Sequence, residues 1–448
     1  MSEYPRTAIV GAGLAGCEAA WQLSTRKCPV VLFEMRPEVM TPAHKTGNLA
    51  ELVCSNSFKS VEISNAHGLL KAEMEAADSL IIKCAKNASL PAGSALAVDR
   101  LHFSEDIERH LSDSEFVEIV NREIHDISQL QQEFSHIIIA AGPLMSNSLA
   151  SSIDNLLGHD NLFFYDSIAP VIYADSINME SAFKASRYGK GDADYVNCPL
   201  NKKEYEDFID DLRTAKKVPY NEFEQEKHFE GCLPIEVMAD RGIDTLAFGP
   251  MKPVGLEDPR TEKRPWAVLQ LRQENKTGTL FNLVGCQTRM TWPEQERIFR
   301  KIPGLEMCEF ARMGSMHRNT YINAPSHLNA NLEFNKQKGL YLAGQLTGVE
   351  GYSESASMGL WAAMNIVSDL RKTAMPEVDP QTMIGGLVNH LVSSSPINFQ
   401  PMNANFGLIT PLNGKKIKNK SERRKIQAQL ALERWRRLLE QVNWQQRD

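Results

Sequence analysis

The chain is expected to be an α/β protein built on a doubly wound parallel sheet, with a second body inserted into that sheet's connections. Three stretches carry this reading. Residues 6–35 run strand, tight glycine turn, helix, strand, as TAIV, GAGLAG, CEAAWQLSTRK and VVLFEM. His136–Pro143 (HIIIAAGP) is a short apolar run ending in small residues and proline, the pattern of a buried parallel strand running out into a loop. Gly339–Gly344 (GLYLAG) is a third such run, followed by a glycine-rich turn and the helical pattern SASMGLWAAMNIVSDL.

The first stretch is the most informative. Gly11, Gly13 and Gly16 form G-x-G-x-x-G between strand and helix, and Glu34 closes the next strand. The first glycine makes the turn, the second lets backbone approach a pyrophosphate, and the third allows close helix packing. The helix N-terminus then faces the phosphates. Glu34 is placed to hydrogen-bond ribose hydroxyls. Such turns also arise for steric reasons alone, but here strand, helix and terminal acid agree.

FAD is favoured over NAD by the distant stretch Leu342–Gly359. Gly344, Gly348 and Gly351 lie between a strand and a helix start, where backbone N–H groups and a second positive helix end can face a flavin's anionic edge. Two nucleotide-facing elements more than three hundred residues apart suit an extended FAD. The expected fold is thus a Rossmann-like FAD-binding domain of the glutathione-reductase type.

Between the anchors the composition shifts to charged helical stretches (NKKEYEDFIDDLRTA) and strands interrupted by Gly and Pro (TLAFGPMKPVG, WAVLQLRQEN, GTLFNLVG). The expected division is 1–188 for the first part of the FAD-binding domain, 189–325 for an inserted α/β domain, and 326–448 for the second part with basic C-terminal helices.

At 448 residues the chain can bury two or three cores without disulfides or metals. It contains no run of 18 apolar residues and no signal-peptide pattern, so no membrane partner is expected. Its eight cysteines are scattered, without C-x-x-C pairs or zinc-type spacing, and read as reduced thiols of a cytoplasmic protein without a metal. The net charge of −7 argues against an overall polyanion-binding coat but leaves room for one basic surface. Gly414–Lys425 (GKKIKNKSERRK) and Glu433–Leu438 (ERWRRL) supply it, with ten Lys/Arg against two acids. Lys415, Lys416, Lys418, Arg423 and Arg424 are the candidate phosphate contacts, set against the plainer reading of a solvated helix face.

Two cysteines stand apart. Cys54 lies in the polar stretch HKTGNLAELVCSNSFKS, on the side of the sheet where ligands bind. Cys232 lies in HFEGCLPIEVMADRG, with Gly231 and Pro234 constraining the backbone and Glu230, Glu236 and Arg241 supplying charge. A thiolate beside cationic groups is an effective nucleophile. Cys17, Cys84, Cys286 and Cys308 read as inert core thiols, and Cys28 and Cys198 remain open. His317, in GSMHRNT, is either a stacking partner for a planar ligand or a surface-loop histidine.

Taken together, GAGLAGCEAAWQL, FEMRPEVMTPAHKTGNLAELVCSNSFKS, NAHGLLKAEM, FEGCLPIEVMADRG, LVGCQTRMTWPEQ and LYLAGQLTGVEGYSESA resemble the folate- and FAD-dependent tRNA (uracil-5-)-methyltransferase family over nearly the whole chain. The resemblance implies methylation of the T-loop uridine of tRNA at carbon five. Methylenetetrahydrofolate would donate the carbon, FAD would carry the methylene unit and deliver electrons, and NAD(P)H would restore the flavin. It further implies that Cys232 attacks the uracil ring and Cys54 assists deprotonation, with the reverse assignment open, and that His317 packs the folate's pteridine ring against the flavin. The same chemistry on a ribosomal RNA uridine stays open, as does a flavin-containing RNA-binding protein that transfers no methyl group. A generic NAD(P)H-dependent flavin oxidoreductase explains the glycines but not the cysteine segments. Oligomeric state is not legible.

The basic C-terminal segment yields a direct expectation. Replacing Lys415, Lys416, Lys418, Arg423 and Arg424 with Ala should weaken tRNA binding and flatten its salt dependence while leaving flavin content intact, measured by filter binding across a salt series beside the flavin absorbance.

Overall fold

The computed structural model describes residues 4–41, 43–158, 161–189, 192–218, 233–275, 277–409 and 419–444. Its organising element is a five-stranded parallel sheet. The strands are β1 (Thr7–Val10), β2 (Val30–Glu34), β3 (Val117–Asn121), β4 (His136–Ile139) and β5 (Leu340–Leu342), in the spatial order β5-β4-β1-β2-β3. Thr7 is in register with both Val30 and His136, and Leu340 with Ile137, so the strands start level and end level. Their shared C-terminal edge is where a doubly wound sheet binds its ligand. β1, β2, β4 and β5 are buried along their whole lengths, whereas β3 at the edge is mostly half-buried.

Two helices decide the geometry at that edge, α1 (Leu14–Ser24) and the long α4 (Tyr352–Leu370). They cross at small residues. A Cβ on Gly359 would lie 2.0 Å from the Ala15 carbonyl oxygen, and one on Gly344 would lie 2.9 Å from the Ala15 Cβ. Backbones approach this closely only where side chains are missing. Between α1 and α4 in sequence, α2 (Ala66–Ala76) and α3 (Arg100–Ser112) pack in the same first core. The C-terminal helices α5 (Met383–Ser393) and α6 (Lys420–Gln441) close it. Glu73 of α2 ties them together: its carboxylate accepts the Met383 and Ile384 N–H groups at 2.7 and 2.9 Å, and its carbonyl accepts the indole N–H of Trp435.

A second core forms around a six-stranded antiparallel sheet. Its strand order is Phe183–Lys184, Tyr195–Leu200, Ala267–Gln273, Leu280–Leu283, Val171–Tyr173 and Phe310–Arg312. The chain enters and leaves this body through a two-stranded ribbon, Asn161–Ile168 against Ser315–Ile322. The expected boundary after residue 188 therefore needs correcting. Ile172, Ile177 and Ala182 belong to the second core, while Tyr321, Ile322 and Ala324 belong to the first. The strand Val171–Tyr173 is three residues long, too short to display a period, and it pairs with strands more than a hundred residues away. No described helix is long and apolar enough to cross a membrane.

One buried carboxylate fixes the start of α4 against α2. Glu354 lies in the first turn of α4, is 1 % exposed, and its Oε1 meets His67 Nδ1 at 3.1 Å and accepts the Ala404 N–H at 3.0 Å. Burial alone would push its carboxyl up, but the bond from His67 and the nearby Lys59 charge bring it down to about 2. A depressed carboxyl stabilises the folded state above its unfolded pKa, about 4.3 for Glu, and that contribution fades as pH falls toward 2. Glu354→Gln should therefore cost about 3 kcal/mol at pH 7. The gap between variant and wild type in urea denaturation should close between pH 4.5 and 2.

Candidate active site

The glycine turn after β1 is shaped by what a Cβ would meet. Gly11 has φ +99°, and a Cβ there would lie 2.6 Å from the Ala141 Cα. At Gly16 it would lie 1.9 Å from the Gly11 carbonyl oxygen. Gly13 differs: a Cβ there would meet nothing within 4 Å, because its α-carbon faces an open cleft. Gly13 also caps α1 without any side-chain hydrogen bond, and the first turn of α1 carries no acid. The helix thus presents unsatisfied N–H groups and the positive end of its dipole to that cleft.

Glu34 ends β2 at the same cleft, 5 % exposed. Its Oε2 accepts the Ala12 N–H at 2.9 Å, and its Oε1 accepts the backbone N–H and Nε of Arg36 at 3.0 and 2.9 Å. Burial works to raise its carboxyl, but Arg36's hydrogen bond and charge leave it below the usual range. The carboxylate is held ionised in a fixed orientation, with lone pairs remaining for ribose hydroxyls. Arg36, which the sequence reading passed over, also reaches Glu51 at 3.3 Å.

The opposite wall comes from the turn after β5. Gly344 (φ +79°) and Gly351 (φ +126°) line the cleft, and Gly351 caps α4 without a side-chain bond. Gly348 lies off the cleft lining; a Cβ there would sit 2.5 Å from the Phe399 ring, so its smallness serves packing. Gly16 is likewise off the lining, at the helix–strand contact. Two uncapped helix starts and one ordered carboxylate around a single cleft suit the phosphates, ribose and ring edge of an FAD.

Cys54 lines the same cleft, with Ser55, Tyr352 and Gln287. It is half-buried, whereas Cys17, Cys28, Cys84, Cys198, Cys286 and Cys308 are all fully buried. Burial pushes the Cys17, Cys198 and Cys286 thiols far above their ordinary value, which keeps them protonated and inert. The Cys54 N–H donates to the Tyr352 hydroxyl at 3.0 Å, and that hydroxyl donates to the Ser55 carbonyl at 2.8 Å.

A family model described as glucose inhibited division protein A matches residues 6–374. The chain belongs to that family. Within it, the chain is 52% identical to the methylenetetrahydrofolate--tRNA-(uracil-5-)-methyltransferase TrmFO of Desulforudis audaxviator, over 95% of this chain and 96% of that protein. It is 53% identical to the protein of the same name from Dictyoglomus turgidum over 95% and 96%. At this identity and coverage it is a member of the methylenetetrahydrofolate--tRNA-(uracil-5-)-methyltransferases. Among solved structures, Aquifex aeolicus GidA aligns with a TM-score of 0.66, covering 98% of this chain and 76% of that one at 15% identity. That likeness concerns the fold, a Rossmann-like FAD-binding architecture.

The remaining candidates of this methyltransferase chain are placed unevenly. Cys232 lies outside the described residues, although Ile235 beyond it donates its N–H to the Gln287 carbonyl at 2.7 Å, and Gln287 lines the cleft. His317 sits on the connecting ribbon, its backbone in register with Asp166, and its side chain is outside the described residues. Lys415, Lys416 and Lys418 also lie outside them. Arg423 is exposed on α6, and Arg424 stands 5.4 Å over the Phe406 ring. α6 is not a freely solvated helix, since Ala428, Ala431, Trp435, Leu438 and Leu439 anchor its inner face in the first core. That anchoring turns Arg423, Lys425, Arg436 and Arg437 outward.

Among the described residues, one cluster has metal-ligand composition, Cys84, Asp106 and His110, away from the cleft lining. Its groups are engaged with protein: Asp106 is bonded by Asn87 and Arg109, and His110 Nδ1 meets the Asp106 carbonyl oxygen at 2.7 Å.

The contrast between glycines is testable. Gly13→Val should leave the apoprotein's melting temperature within about 2 °C of wild type while abolishing flavin retention, because the new side chain enters only the cleft. Gly16→Val should lower apoprotein stability by several kcal/mol, about 3 or more, because its Cβ enters a packed backbone contact. Differential scanning fluorimetry and flavin absorbance separate the two.

Proposed function

We propose that the chain methylates carbon five of the T-loop uridine in tRNA, with methylenetetrahydrofolate as carbon donor and NAD(P)H as electron source. The observation that carries the proposal is a single cleft, shared by the dinucleotide-type glycine turn and Cys54, in a chain about half identical to proteins bearing that name over nearly its whole length. FAD, when bound, supplies the electron pair that converts the transferred one-carbon unit to a methyl group, and NAD(P)H replenishes that pair.

The protein's own residues do the rest. The α1 N-terminus with Gly13 would hold the pyrophosphate of an FAD, Glu34 its ribose hydroxyls, and the α4 N-terminus at Gly351 would supply N–H groups to its ring system. Cys232 supplies the thiolate that adds to uracil carbon six. The ring electrons displaced by that addition make carbon five nucleophilic, which uracil otherwise is not. After the new carbon–carbon bond forms, the proton on carbon five passes to Cys54, and the electron pair it leaves behind breaks the bond between the one-carbon unit and its donor nitrogen, leaving an exocyclic methylene on the ring. Two-electron reduction of that methylene to methyl returns a pair to carbon five, which re-forms the ring double bond and expels the Cys232 thiolate. His317, on the ribbon that leads out of the second body, is the proposed packing partner of the pteridine ring. The outward cations of α6, Arg423 among them, contact tRNA phosphates, supported by a helix whose inner face is anchored and whose outer face is left to solvent.

Purified protein incubated with labelled methylenetetrahydrofolate, NADPH and an unmodified tRNA transcript should place label in 5-methyluridine. Cys54→Ala and Cys232→Ala should lower turnover by at least about a thousandfold while retaining flavin. Label in a ribosomal RNA fragment and none in tRNA would move the substrate. Full activity in both variants would remove the thiols from the chemistry.

A further inference from the structure

Residues 51–56 carry no regular secondary structure, so no ladder fixes the backbone on either side of Cys54. Side chains fix it instead. Arg100, the first residue of α3, donates through Nη1 to the Leu52 carbonyl and through Nη2 to the Cys54 carbonyl at 2.9 Å. Arg312, in the second body's strand Phe310–Arg312, donates through Nη1 to the Val53 carbonyl at 3.4 Å and through Nη2 to the same Cys54 carbonyl at 3.0 Å. With Tyr352 on Ser55, four successive carbonyls are held by three side chains from three elements.

Backbone anchoring alone does not explain the choice of residues. Two guanidiniums converge on one oxygen and repel each other, and burial together with the Arg100 charge pushes the Arg312 pKa down. A single carboxylate answers them: Glu274 pairs with Arg100 Nε at 2.8 Å and is 4% exposed in its side chain. Two cations against one anion leave positive charge in excess at Cys54. Glu274 Oε1 and Arg312 Nε are both buried without a hydrogen-bond partner, so the cluster is not a fully satisfied structural ion pair. Neutral amide donors could hold the same carbonyls without that repulsion.

We propose that Arg100 and Arg312 are positioning residues that hold the Cys54 thiol as thiolate against the cleft, with Glu274 tempering their field. The inference rests on the role given to Cys54 above, since a group that is to accept the carbon-five proton must first have lost its own. Arg100 from α3, Arg312 from the second body and Tyr352 from α4 act on Cys54 directly, Glu274 beyond Ala267–Gln273 acts through its pairing with Arg100, and His44, Glu51 and Lys59 share the cleft lining with Cys54. Burial drives the Tyr352 phenol far up, so it stays neutral and the arginines set the sign. Because Arg312 and Glu274 belong to the inserted body, the reactivity of a thiol in the nucleotide-binding body depends on how the two bodies seat against each other.

The test follows alkylation of the Cys54 peptide by iodoacetamide against pH, in flavin-loaded protein, by mass spectrometry. A loosened segment changes the plateau rate, whereas a lost cation moves the midpoint. Arg312→Gln should raise the midpoint by about one pH unit or more, Arg312→Lys should keep it near wild type, and Glu274→Gln should lower it. In the methylation assay at a pH about one unit or more below the wild-type alkylation midpoint, Arg312→Gln should lower kcat about tenfold, the thiolate lost to a one-unit shift, with KM for tRNA within about twofold. An unmoved midpoint in both Arg312→Gln and Glu274→Gln overturns the proposal. The alkylation needs neither folate nor tRNA. A shifted midpoint in a protein whose wild type methylates no RNA would keep the clamp and defeat the methyltransferase reading, and the converse pairing would do the opposite.

Discussion

The close crossing of α1 and α4 at Ala15, Gly344 and Gly359 is the contact on which the rest of the site depends. It places two uncapped helix starts at the same edge of one parallel sheet, although about 340 residues separate them in sequence. Helix starts attract negative charge: Glu354 already sits at the start of α4, whereas α1 has no acid in its first turn and leaves its start to an anionic ligand in the cleft. The pyrophosphate of a dinucleotide supplies that charge. The glycines around the cleft divide accordingly: Gly13 leaves room for a ligand, whereas Gly11, Gly16 and Gly359 leave room for the protein's own backbone.

A second constraint is laid on top of the first. The segment bearing Cys54 cannot hold itself, and the residues that hold it are recruited from α3, α4 and the inserted body. Asn56 extends the same connection, accepting from Arg272 Nε at 2.9 Å and donating to the Gln273 carbonyl at 2.9 Å. The inserted body therefore shares in holding the segment that carries Cys54. This gives physical content to the size of the insertion: a sheet of its own is needed to present Arg272, Glu274 and Arg312 rigidly at a distance from the nucleotide fold.

What could be read in the sequence was local and periodic. β1, β4 and β5 declared themselves as apolar runs next to a glycine turn, α1 as the helix that such a turn opens, β2 as the apolar run after it, and Glu34 because it ends that run. The core reading of Cys17, Cys84, Cys286 and Cys308 rested on the general tendency of cysteine to be buried, and all four are buried, while the polar neighbours of Cys54 set it apart and it is half-buried. β3 went unseen because an edge strand, VEIVN, alternates polar and apolar residues over only five positions. Arg100 and Arg312 went unseen for a different reason. They reach Cys54 across 46 and 258 residues of chain, and nothing in VDRLHF or FARMG separates them from ordinary surface arginines. Gly348 shows the opposite failure, where a glycine in a binding motif serves a ring behind the wall and not the cleft in front of it.

The central claim is that the dinucleotide and the reactive thiol share one cleft. The most direct test is the alkylation rate of Cys54 in flavin-stripped protein, before and after reconstitution with FAD, with buried Cys17 as internal reference. A shared cleft predicts that FAD slows modification of Cys54 about tenfold or more while Cys17 stays unreactive in both states. Equal rates for Cys54 with and without FAD would contradict it.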